Sequence, residues 1–462
     1  MTTTTELAAN DRMVSLSIPE KLGYGAGDIG FNLYWTTIAS FLAAFYTDVF
    51  GLSAAAAGTL LFVTKILDAF TDPAMGAIAD RTQTRYGKFR PYLMWGGIPL
   101  GVCAVLAFTT PEASPAFKLA WAYLTYSAMM LCYTVVSTPY SALSGVMTAR
   151  SQDRTTLISI RFLFAFSCGA LVNRFTFPLV EYFGNGNDRL GWQLTLALYA
   201  VLATLCFLIT FASTKERIAA PVTQKSNPLL DIKDLIDNKP WLILFALAMI
   251  IMLTITMRGG SAYYYFSYYV ERPDLISSYL FWQMIAYAAG ACLTPLLTRY
   301  IDKARLLMIL MGLVGCLSIL FYFVPKDAIG LMFGLNMAIS LALGPKSPLT
   351  WSMYADTADY TEWKTRRRAT AMTFSAATFA QKLGGALGSA IMLWILAAIG
   401  YVAKEAQAGS SLVGINLLQT AIPGGFAILA VLFLRHYNLS GERLTTIQTE
   451  LASRNQSSSQ AL

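Results

Sequence analysis

The stretch Asp68-Ala-Phe-Thr-Asp72-Pro-Ala-Met-Gly76 places two carboxylates inside a long apolar segment of the chain. Asp68 and Asp72 are four residues apart, so on a helix they share one face, with Thr71 beside them. Ionisable groups inside a bilayer are costly and are candidates for function. Two carboxylates one turn apart repel each other, and a bound proton or Na⁺ relieves that repulsion. We therefore predict a cation site, with an ordinary ion pair to Lys65 as the alternative.

The apolar character of this segment extends over the whole chain. Of 462 residues, 56 % are hydrophobic and 13 % are charged, against about 45–50 % and about 25 % in soluble proteins. The apolar blocks exceed the roughly 18–20 residues that a helix needs to cross a bilayer. This pattern predicts an all-α membrane protein, a two-domain bundle of twelve transmembrane helices. The predicted spans lie near 29–50, 53–79, 91–110, 118–146, 157–183, 192–213, 240–269, 275–298, 306–324, 327–353, 369–397 and 412–435.

The basic residues predict the orientation of the chain. With both termini inside, Lys and Arg concentrate in the cytoplasmic connections, as the positive-inside rule requires. The polar stretch 214–239 is the longest inner connection and separates two halves of six helices. We predict an N-terminal half with the cation site at 1–213, a cytoplasmic loop at 214–239, a C-terminal half at 240–435 and a cytoplasmic tail at 436–462. The expected location is the inner (plasma) membrane.

The composition argues against several other classes of protein. The net charge of +8 resides in short loops, which suits membrane orientation rather than nucleic-acid binding. The six cysteines stand singly in apolar blocks, and His436 is the one histidine, so neither a disulfide framework nor a zinc or catalytic histidine site is expected. Residues 1–20 are polar, and no cleavable signal peptide is expected. We predict a protein that is not an enzyme and holds no metal or cofactor.

Proline interrupts the fourth and the tenth spans at matching places. The fourth span ends with Ser137-Thr-Pro-Tyr140, and the tenth carries Lys346-Ser-Pro-Leu-Thr-Trp351. Interrupted helices at corresponding positions of two halves point to a central substrate site, and chance similarity is the alternative. These segments supply candidate substrate contacts, namely Ser137, Tyr140, Lys346 and Trp351.

Charged residues cluster where the tenth span ends. Asp356 and Asp359 stand just before the basic run 366–368, which has Arg367 at its centre. We predict that Asp356, Asp359 and Arg367 belong to a gate of salt bridges between the halves. A solvated loop is the alternative.

Two cations lie within otherwise apolar spans, Arg258 on the seventh and Lys346 on the tenth. An unpaired charge there is expensive, and the fork of an arginine suits a carboxylate or a sulfonate. If both side chains face the substrate, the substrate is an acidic sugar. In the alternatives, Arg258 extends to a membrane interface, Lys346 pairs with Asp356, and the sugar is neutral.

Several motifs resemble known transporters. The loop Gly76-Ala-Ile-Ala-Asp80-Arg81, continued by Arg85-Tyr-Gly-Lys88-Phe-Arg90, is similar to the cytoplasmic motif of the major facilitator superfamily. That likeness implies a charge latch formed by Asp80, Arg81 and Lys88; topology determinants are the alternative. Five further motifs occur in order along the chain, namely Lys21-Leu-Gly-Tyr-Gly-Ala-Gly-Asp28, Tyr46-Thr-Asp48, Asp68–Gly76, Arg85-Tyr-Gly-Lys-Phe-Arg-Pro91 and Ala355-Asp-Thr-Ala-Asp-Tyr360. Through them the chain, from about Glu20 to Arg443, resembles the glycoside–pentoside–hexuronide:cation symporters, the melibiose permease-like family of that superfamily.

The resemblance implies roles for further residues. Asp68 and Asp72 match the family's cation carboxylates, and Thr71 and Thr134 stand where more oxygen ligands are expected. Lys382 matches a lysine near the cation site.

On the sugar side, the resemblance places Arg161 at the border of the cavity. Asn32 and Ser137 stand where acids grip galactosyl hydroxyls in the melibiose permease, and Ser141 replaces an expected tryptophan. These departures argue against a galactoside and leave a sugar as the expected substrate.

The sequence thus predicts a symporter that imports a glycoside, pentoside or hexuronide with Na⁺ or H⁺ by alternating access, acting as a monomer in the bilayer. The rivals are a lysolipid symporter of the same fold and a sugar sensor that does not transport. Aromatic residues near the expected cavity favour sugar over lipid, although packing and interface anchoring also use aromatics. These aromatics are Tyr34, Trp35, Tyr133, Tyr140, Tyr263, Tyr264 and Trp351.

Overall fold

The fold is all-helical. The structure, a computed structural model, describes residues 16–148, 151–217, 235–365, 370–439, 443–444, 446–447 and 449–450. Within them the regular structure is helical apart from one isolated bridge between Thr84 and Gly87, which confirms the predicted all-α class. The chain forms two compact units: unit 1 is Met1–Thr223 with Ala403–Glu405, and unit 2 is Gln224–Val402 with Ala406–Leu462. The assignment of functions to the two halves stays a prediction.

Unit 1 is built from long helices whose starts are fixed by capping side chains. The hydroxyls of Ser17, Ser53 and Ser114 each accept a hydrogen bond from a backbone N–H three residues later, which satisfies a donor that a helix start leaves unpaired. Two π-helical segments, Ile38–Leu42 and Phe45–Val49, extend the first helix. The α-helices of this unit are α1 (Ile18–Thr37), α2 (Ala54–Arg81), α3 (Arg90–Ala107), α4 (Pro115–Met147), α5 (Ser151–Gly184) and α6 (Asp188–Ser213).

Unit 2 contains two interrupted helices. The predicted tenth span breaks at Gly344-Pro345, because proline lacks the N–H that a continuous helix needs. The predicted twelfth span breaks at Thr420. The α-helices of this unit are α7 (Lys239–Tyr264), α8 (Ile276–Leu297), α9 (Lys303–Tyr322), α10 (Ile329–Leu343), α11 (Lys346–Thr365), α12 (Thr370–Ala398), α13 (Gly409–Gln419) and α14 (Ala421–Leu434).

The helices identify a multi-pass membrane protein. Among the residues that the structure describes, nine helical stretches are long and apolar enough to cross a bilayer, from Pro115–Ser144 to Gly409–Leu434. The three spans predicted before Pro115 are not among these nine. One of them is α2, which carries Lys65, Asp68 and Asp72 within the predicted span. The count of twelve spans therefore stays a prediction.

Close helix packing in unit 1 holds α1 against α5 and α6, and α2 against α4. Gly30 of α1 permits this approach, since a Cβ there would lie 2.7 Å from the ring of Phe207 on α6. Most residues of α1 on both sides of Gly30 are buried. The packing therefore fixes which face of α1 meets the other helices.

The loop between α2 and α3 is held by a carboxylate from the end of α6. Glu216 accepts hydrogen bonds from the backbone N–H groups of Lys88, Phe89 and Arg90, at 2.8, 2.8 and 3.0 Å. Gly87 allows the turn with a φ of +110°, a region that side-chain-bearing residues rarely enter. The carboxylate thus caps the start of α3.

The contact with Glu216 involves the backbone of the cytoplasmic motif. Lys88 meets Glu216 through its backbone N–H, and its ammonium lies 5.1 Å from the centre of the Phe89 ring. The side chains of Asp80 and Arg81 lie outside the described residues. The predicted latch between these residues stays a prediction.

We expect Glu216→Ala to destabilise the folded protein by about 1–3 kcal/mol, because three buried or half-buried N–H donors lose their acceptor. Thermal unfolding of the purified protein in detergent measures this loss. Lys215→Ala, at the exposed neighbouring position, is the matched control. An unfolding temperature of Glu216→Ala equal to that of the control would contradict the capping role.

Candidate functional site

Asp68 and Asp72 of α2 are held in different ways. Asp68 is 2 % exposed, and its Oδ2 accepts a hydrogen bond from the ammonium of Lys65 at 3.1 Å. One turn later, Oδ1 of Asp72 accepts a hydrogen bond from the hydroxyl of Thr134 on α4 at 2.9 Å. The ion pair that the sequence offered as an alternative is therefore present at Asp68, and Asp72 meets a hydroxyl on the neighbouring helix.

Thr134 and Thr71, the two predicted hydroxyl ligands, make different contacts. Thr134 is buried and lies against a carboxylate. The hydroxyl of Thr71 instead donates to the backbone carbonyl of Asp68 at 3.3 Å. The structure thus brings Asp72 and Thr134 together, with Thr71 next to them along the helix. Among the described residues no cluster of three or more His, Cys, Asp or Glu side chains suits a metal ion.

Lys65 joins these carboxylates to an aromatic cluster. Its ammonium lies 5.0 Å from the centre of the Trp35 ring, within the range of a cation–π contact. Trp35 in turn lies 6.3 Å from Tyr133, which meets Phe31 edge-on at 5.3 Å. The sequence analysis treated Lys65 only as a counter-ion, because spacing along α2 does not reveal a partner on α1.

The aromatic cluster continues to a buried ion pair. Phe31 lies 5.1 Å from Tyr140, and the guanidinium of Arg161 on α5 lies 5.1 Å from the centre of the same ring. Nε of Arg161 donates to Oδ2 of Asp28 on α1 at 2.8 Å. The sequence analysis quoted Asp28 within a motif and did not select it as a site residue.

The other residues of unit 1 that were predicted to contact the sugar differ in how far they are buried. Asn32 is half-buried, and its amide donates to the backbone carbonyl of Asp28 at 2.9 Å. Ser137 is also half-buried. Tyr140 is fully buried, stacks on Tyr24 at 4.7 Å and donates its hydroxyl to the carbonyl of Tyr24 at 2.8 Å. Tyr140 therefore supports the position of Arg161, and its hydroxyl is occupied.

Arg258 lies in the interior of unit 2. It is 1 % exposed, and its guanidinium donates to Oδ1 of Asn336 at 2.8 Å, to the Ser318 hydroxyl at 3.4 Å and to the Gln419 carbonyl at 3.5 Å. No carboxylate of the described chain ion-pairs with it. The alternative that Arg258 extends to a membrane interface is wrong, because neutral groups of α9, α10 and α13 enclose it. The contact with substrate stays a prediction.

Lys346 begins α11 and is 8 % exposed. Its ammonium lies 3.4 Å from the Met252 sulfur of α7. The alternative that Lys346 pairs with Asp356 is wrong, because ten residues of helix separate the two by about 15 Å. Asp356 instead accepts a hydrogen bond from Lys303 at 2.8 Å.

The other predicted residues of unit 2 are on α11 and α12. Trp351 is half-buried and lies 6.2 Å from Tyr354 in an edge contact. Asp359 and Lys382 are half-buried as well. Arg367 lies outside the described residues, so the gate stays a prediction, as does the proximity of Lys382 to the cation site.

We expect Arg258→Gln to leave the ranking of neutral and acidic sugars unchanged, with each affinity shifted by less than about tenfold. The reason is that its guanidinium is enclosed by side chains of unit 2. Competition of uptake by matched neutral and acidic sugars measures the ranking, and thermal unfolding reports any loss of structure. A selective loss of acidic sugars would show that Arg258 contacts the substrate.

Comparison with known proteins identifies the family. The model of the family described as MFS/sugar transport protein matches residues 23–441. The chain is 36 % identical over 439 residues to the inner membrane symporter YicJ of Escherichia coli K12, covering 95 % of each chain. It is 35 % identical to the putative glycoside/cation symporter YagG of the same organism, covering 95 % of this chain and 96 % of YagG.

Further comparisons agree with that match. The chain is 34 % identical to the isoprimeverose transporter of Lactiplantibacillus pentosus, covering 94 % of this chain and 92 % of the transporter. Among solved structures, the inward-open xylose transporter XylE of E. coli matches the fold with a TM-score of 0.64 at 16 % identity, covering 93 % of this chain and 98 % of XylE. The resemblance to glycoside:cation symporters is confirmed. The chain therefore belongs to the MFS/sugar transport protein family.

Proposed function

We propose that the protein is a secondary active symporter that imports a sugar or glycoside together with Na⁺ or H⁺. The observation that carries this proposal is a contact in unit 1 between a carboxylate of α2 and an aromatic cluster. Asp68, the buried carboxylate of α2, meets an aromatic cluster through Lys65, whose ammonium contacts both Asp68 and Trp35. A cation that changes the charge at α2 thereby changes the surroundings of the sugar.

The proposed cation site lies between Asp68 and Asp72. Carboxylate and hydroxyl oxygens suit Na⁺, and Thr134 supplies a hydroxyl oxygen beside Asp72. A proton on Asp72 serves the same purpose, because either ion removes a negative charge that is costly in an apolar span. Lys65 neutralises Asp68 when no cation is bound. Coupling requires that the fully loaded protein changes conformation more easily than the half-loaded one.

Three lines of support favour a sugar as the cargo. The family model is described as one of sugar transport, and two relatives are named for glycoside/cation symport and isoprimeverose transport. In unit 1, Trp35 and Tyr133 are half-buried, and half-buried aromatic rings suit stacking with a sugar ring. The rival lysolipid carrier has no comparable support from these relatives.

We further propose alternating access in the inner membrane, with both termini cytoplasmic and the monomer as the transporting unit. The ion pair of Asp356 with Lys303 joins α11 to the start of α9. In this proposal it holds one conformation of unit 2. Breaking such a pair changes a conformational step rather than the sugar contacts.

Uptake into proteoliposomes tests the function. Radiolabelled glycosides, pentosides and uronides are offered under an imposed Na⁺ gradient, an imposed H⁺ gradient or neither. The proposal predicts accumulation of at least one neutral glycoside or pentoside under one of the gradients. Accumulation of lysolipid and of no sugar would support the rival carrier, and sugar binding without uptake would indicate a sensor.

A further inference from the structure

We propose that Cys103 and Cys132 form a two-sulfur site that binds thiophilic metal or metalloid ions, such as Cu⁺, Hg²⁺ or trivalent arsenic. The two thiols belong to α3 and α4 of unit 1. Binding at this site does not depend on the proposed transport function. The expected effect of binding on uptake does rest on that function, and separate measurements test the two.

The two sulfurs are close enough to share one ion. Sγ of Cys103 lies 3.9 Å from Sγ of Cys132. A tetrahedral ion with sulfur ligands at about 2.3 Å holds two of those sulfurs about 3.8 Å apart. The thiols therefore already have the spacing of two ligands of one ion, and neither helix has to move to bring them together.

Close packing of α3 against α4 fixes this spacing. A Cβ at Gly96 of α3 would lie 2.5 Å from the side chain of Val136 on α4, so the glycine lets the two helices approach each other. Cys103 lies two turns after Gly96, and Cys132 lies one turn before Val136. Residues at these intervals share one helix face, so both cysteines are on the faces that meet.

Both thiols are available to a ligand. They are free cysteines with half-buried side chains. Within the described residues, each sulfur has the other as its only hydrogen-bond partner. Their neighbours Val102 and Leu131 are 54 % and 50 % exposed, so the edge of the helix pair is open to the apolar phase around it. A small neutral reagent can therefore reach the sulfurs from the bilayer.

The number of ligands selects the class of ion. Thiolates are the soft ligands that soft ions prefer, and coordination removes the thiol proton. A structural Zn²⁺ ion needs four ligands, and no group of three or more His, Cys, Asp or Glu side chains occurs within the residues that the structure describes. The site therefore suits ions that are held by two sulfurs.

The pairing depends on contacts that spacing along the chain does not reveal. Cys103 and Cys132 are 29 residues apart, and each stands singly in its own apolar block. The sequence analysis therefore treated both as small hydrophobic residues, a common role of free cysteine. The packing of two helices makes them a pair.

The site adjoins residues of the proposed transport site. Cys132 directly precedes Tyr133 of the aromatic cluster and Thr134, whose hydroxyl meets Asp72. An ion held by both sulfurs ties this turn of α4 to α3. Because Thr134 is a proposed ligand of the coupling cation, we expect the tie to restrain that ligand and to reduce uptake.

Phenylarsine oxide is the probe. Its trivalent arsenic forms one bond to each sulfur, its bond to oxygen breaks, and the two thiol protons leave with that oxygen as water, without a change of oxidation state. Excess mercaptoethanol removes arsenic that is held by one sulfur and leaves arsenic that is held by two. Native mass spectrometry of the treated and washed protein should show one bound arsenical, which dimercaptopropanol should remove.

Single substitutions locate the bound arsenical. Cys103→Ser and Cys132→Ser should each abolish its retention, because either change leaves one sulfur. Cys206→Ser is the matched control, since Cys206 is also half-buried but is on α6, and this variant should still retain one arsenical. Retention by both of the first two variants would place the arsenical elsewhere and overturn the proposal.

A measurement on the unaltered protein replaces the variants if they fail to fold. Diamide takes up the two thiol hydrogens and becomes a hydrazine, while the sulfurs form a disulfide. Peptide mapping without reduction should then find Cys103 joined to Cys132, and the oxidised protein should retain no arsenical. Undiminished retention after the two cysteines are joined would contradict the two-sulfur site.

Uptake into proteoliposomes tests the effect on transport, with each protein compared with its own untreated activity. The unaltered protein should lose most of its sugar uptake when it holds the arsenical and regain it after dimercaptopropanol. Full uptake by the loaded protein would disprove the effect on Thr134. Failure of the untreated protein to import any sugar would refute the proposed function, whereas the arsenical count from mass spectrometry would still decide the site.

Discussion

Replacing Asp72 with asparagine is expected to abolish gradient-driven accumulation, so that internal sugar rises no higher than external sugar, while equilibrium binding of sugar survives. The structure supplies the reason. Asp72 meets the Thr134 hydroxyl on α4, whereas Asp68 already meets the ammonium of Lys65. A cation held between the two carboxylates needs both of them, and Asp72 is the one that lies beside a hydroxyl oxygen able to complete the site. Uptake into proteoliposomes under an imposed gradient measures the effect.

The neighbouring carboxylate and an exposed serine serve as comparisons. We expect Asp68→Asn to impair accumulation as well, because it frees the Lys65 ammonium within a buried site. Ser410→Ala, at an exposed position at the start of α13, should transport normally. Full accumulation in both aspartate variants would disprove the cation site on α2.

The second large effect is expected from Lys65→Met. Asp68 is buried, and loss of its cation partner leaves an uncompensated carboxylate, which costs about 3–5 kcal/mol. In the absence of a coupling cation the variant should therefore unfold at a lower temperature than the unaltered protein. Added Na⁺, or a lower pH if the coupling ion is H⁺, should restore more stability to the variant than to the unaltered protein, because the ion takes the place of the ammonium.

Lys65→Arg tests whether charge alone accounts for this result. An arginine keeps the positive charge beside Asp68 and should retain most of the cation-free stability. If Lys65→Met unfolds at the same temperature as the unaltered protein, with and without cation, the ion pair does not stabilise unit 1 and does not mediate coupling.

The sequence predicted the features that arise from spacing along one helix. The i, i+4 relation of Asp68 and Asp72 placed both on one face of α2. The interruption of the tenth span was predicted at Pro348, whereas the helix breaks one turn earlier, at Gly344-Pro345. The family was predicted as well, because its motifs are short and ordered along the chain. These properties depend on neighbours in sequence.

Contacts between distant segments were not predictable in the same way. Asp28 and Arg161 are 133 residues apart, and the sequence analysis looked for an acid at Asn32 because that is where the family places one. Similarly, the partner of Asp356 is Lys303 on α9 and not a residue of its own helix. Such pairs depend on which helix faces pack together.

The partners of Arg258, a single charge in an apolar span, could not be predicted from the sequence either. From sequence it was a cation in an apolar span, with substrate or a membrane interface as its expected partner. In the structure its terminal nitrogens donate to neutral oxygens from Ser318, Asn336 and Gln419, while its Nε has no hydrogen-bond partner within the described residues. Neutral residues on three other helices carry no pattern that identifies them as partners of an arginine.

The central claim is that sugar and cation move together, and the most direct measurement is cation entry driven by sugar alone. Proteoliposomes containing a Na⁺- or pH-sensitive dye receive an inward gradient of a transported sugar, with equal cation concentrations on both sides. The account predicts sugar-dependent entry of Na⁺ or H⁺ into vesicles with the unaltered protein and none with Asp72→Asn. Sugar uptake without cation entry in the unaltered protein would contradict it.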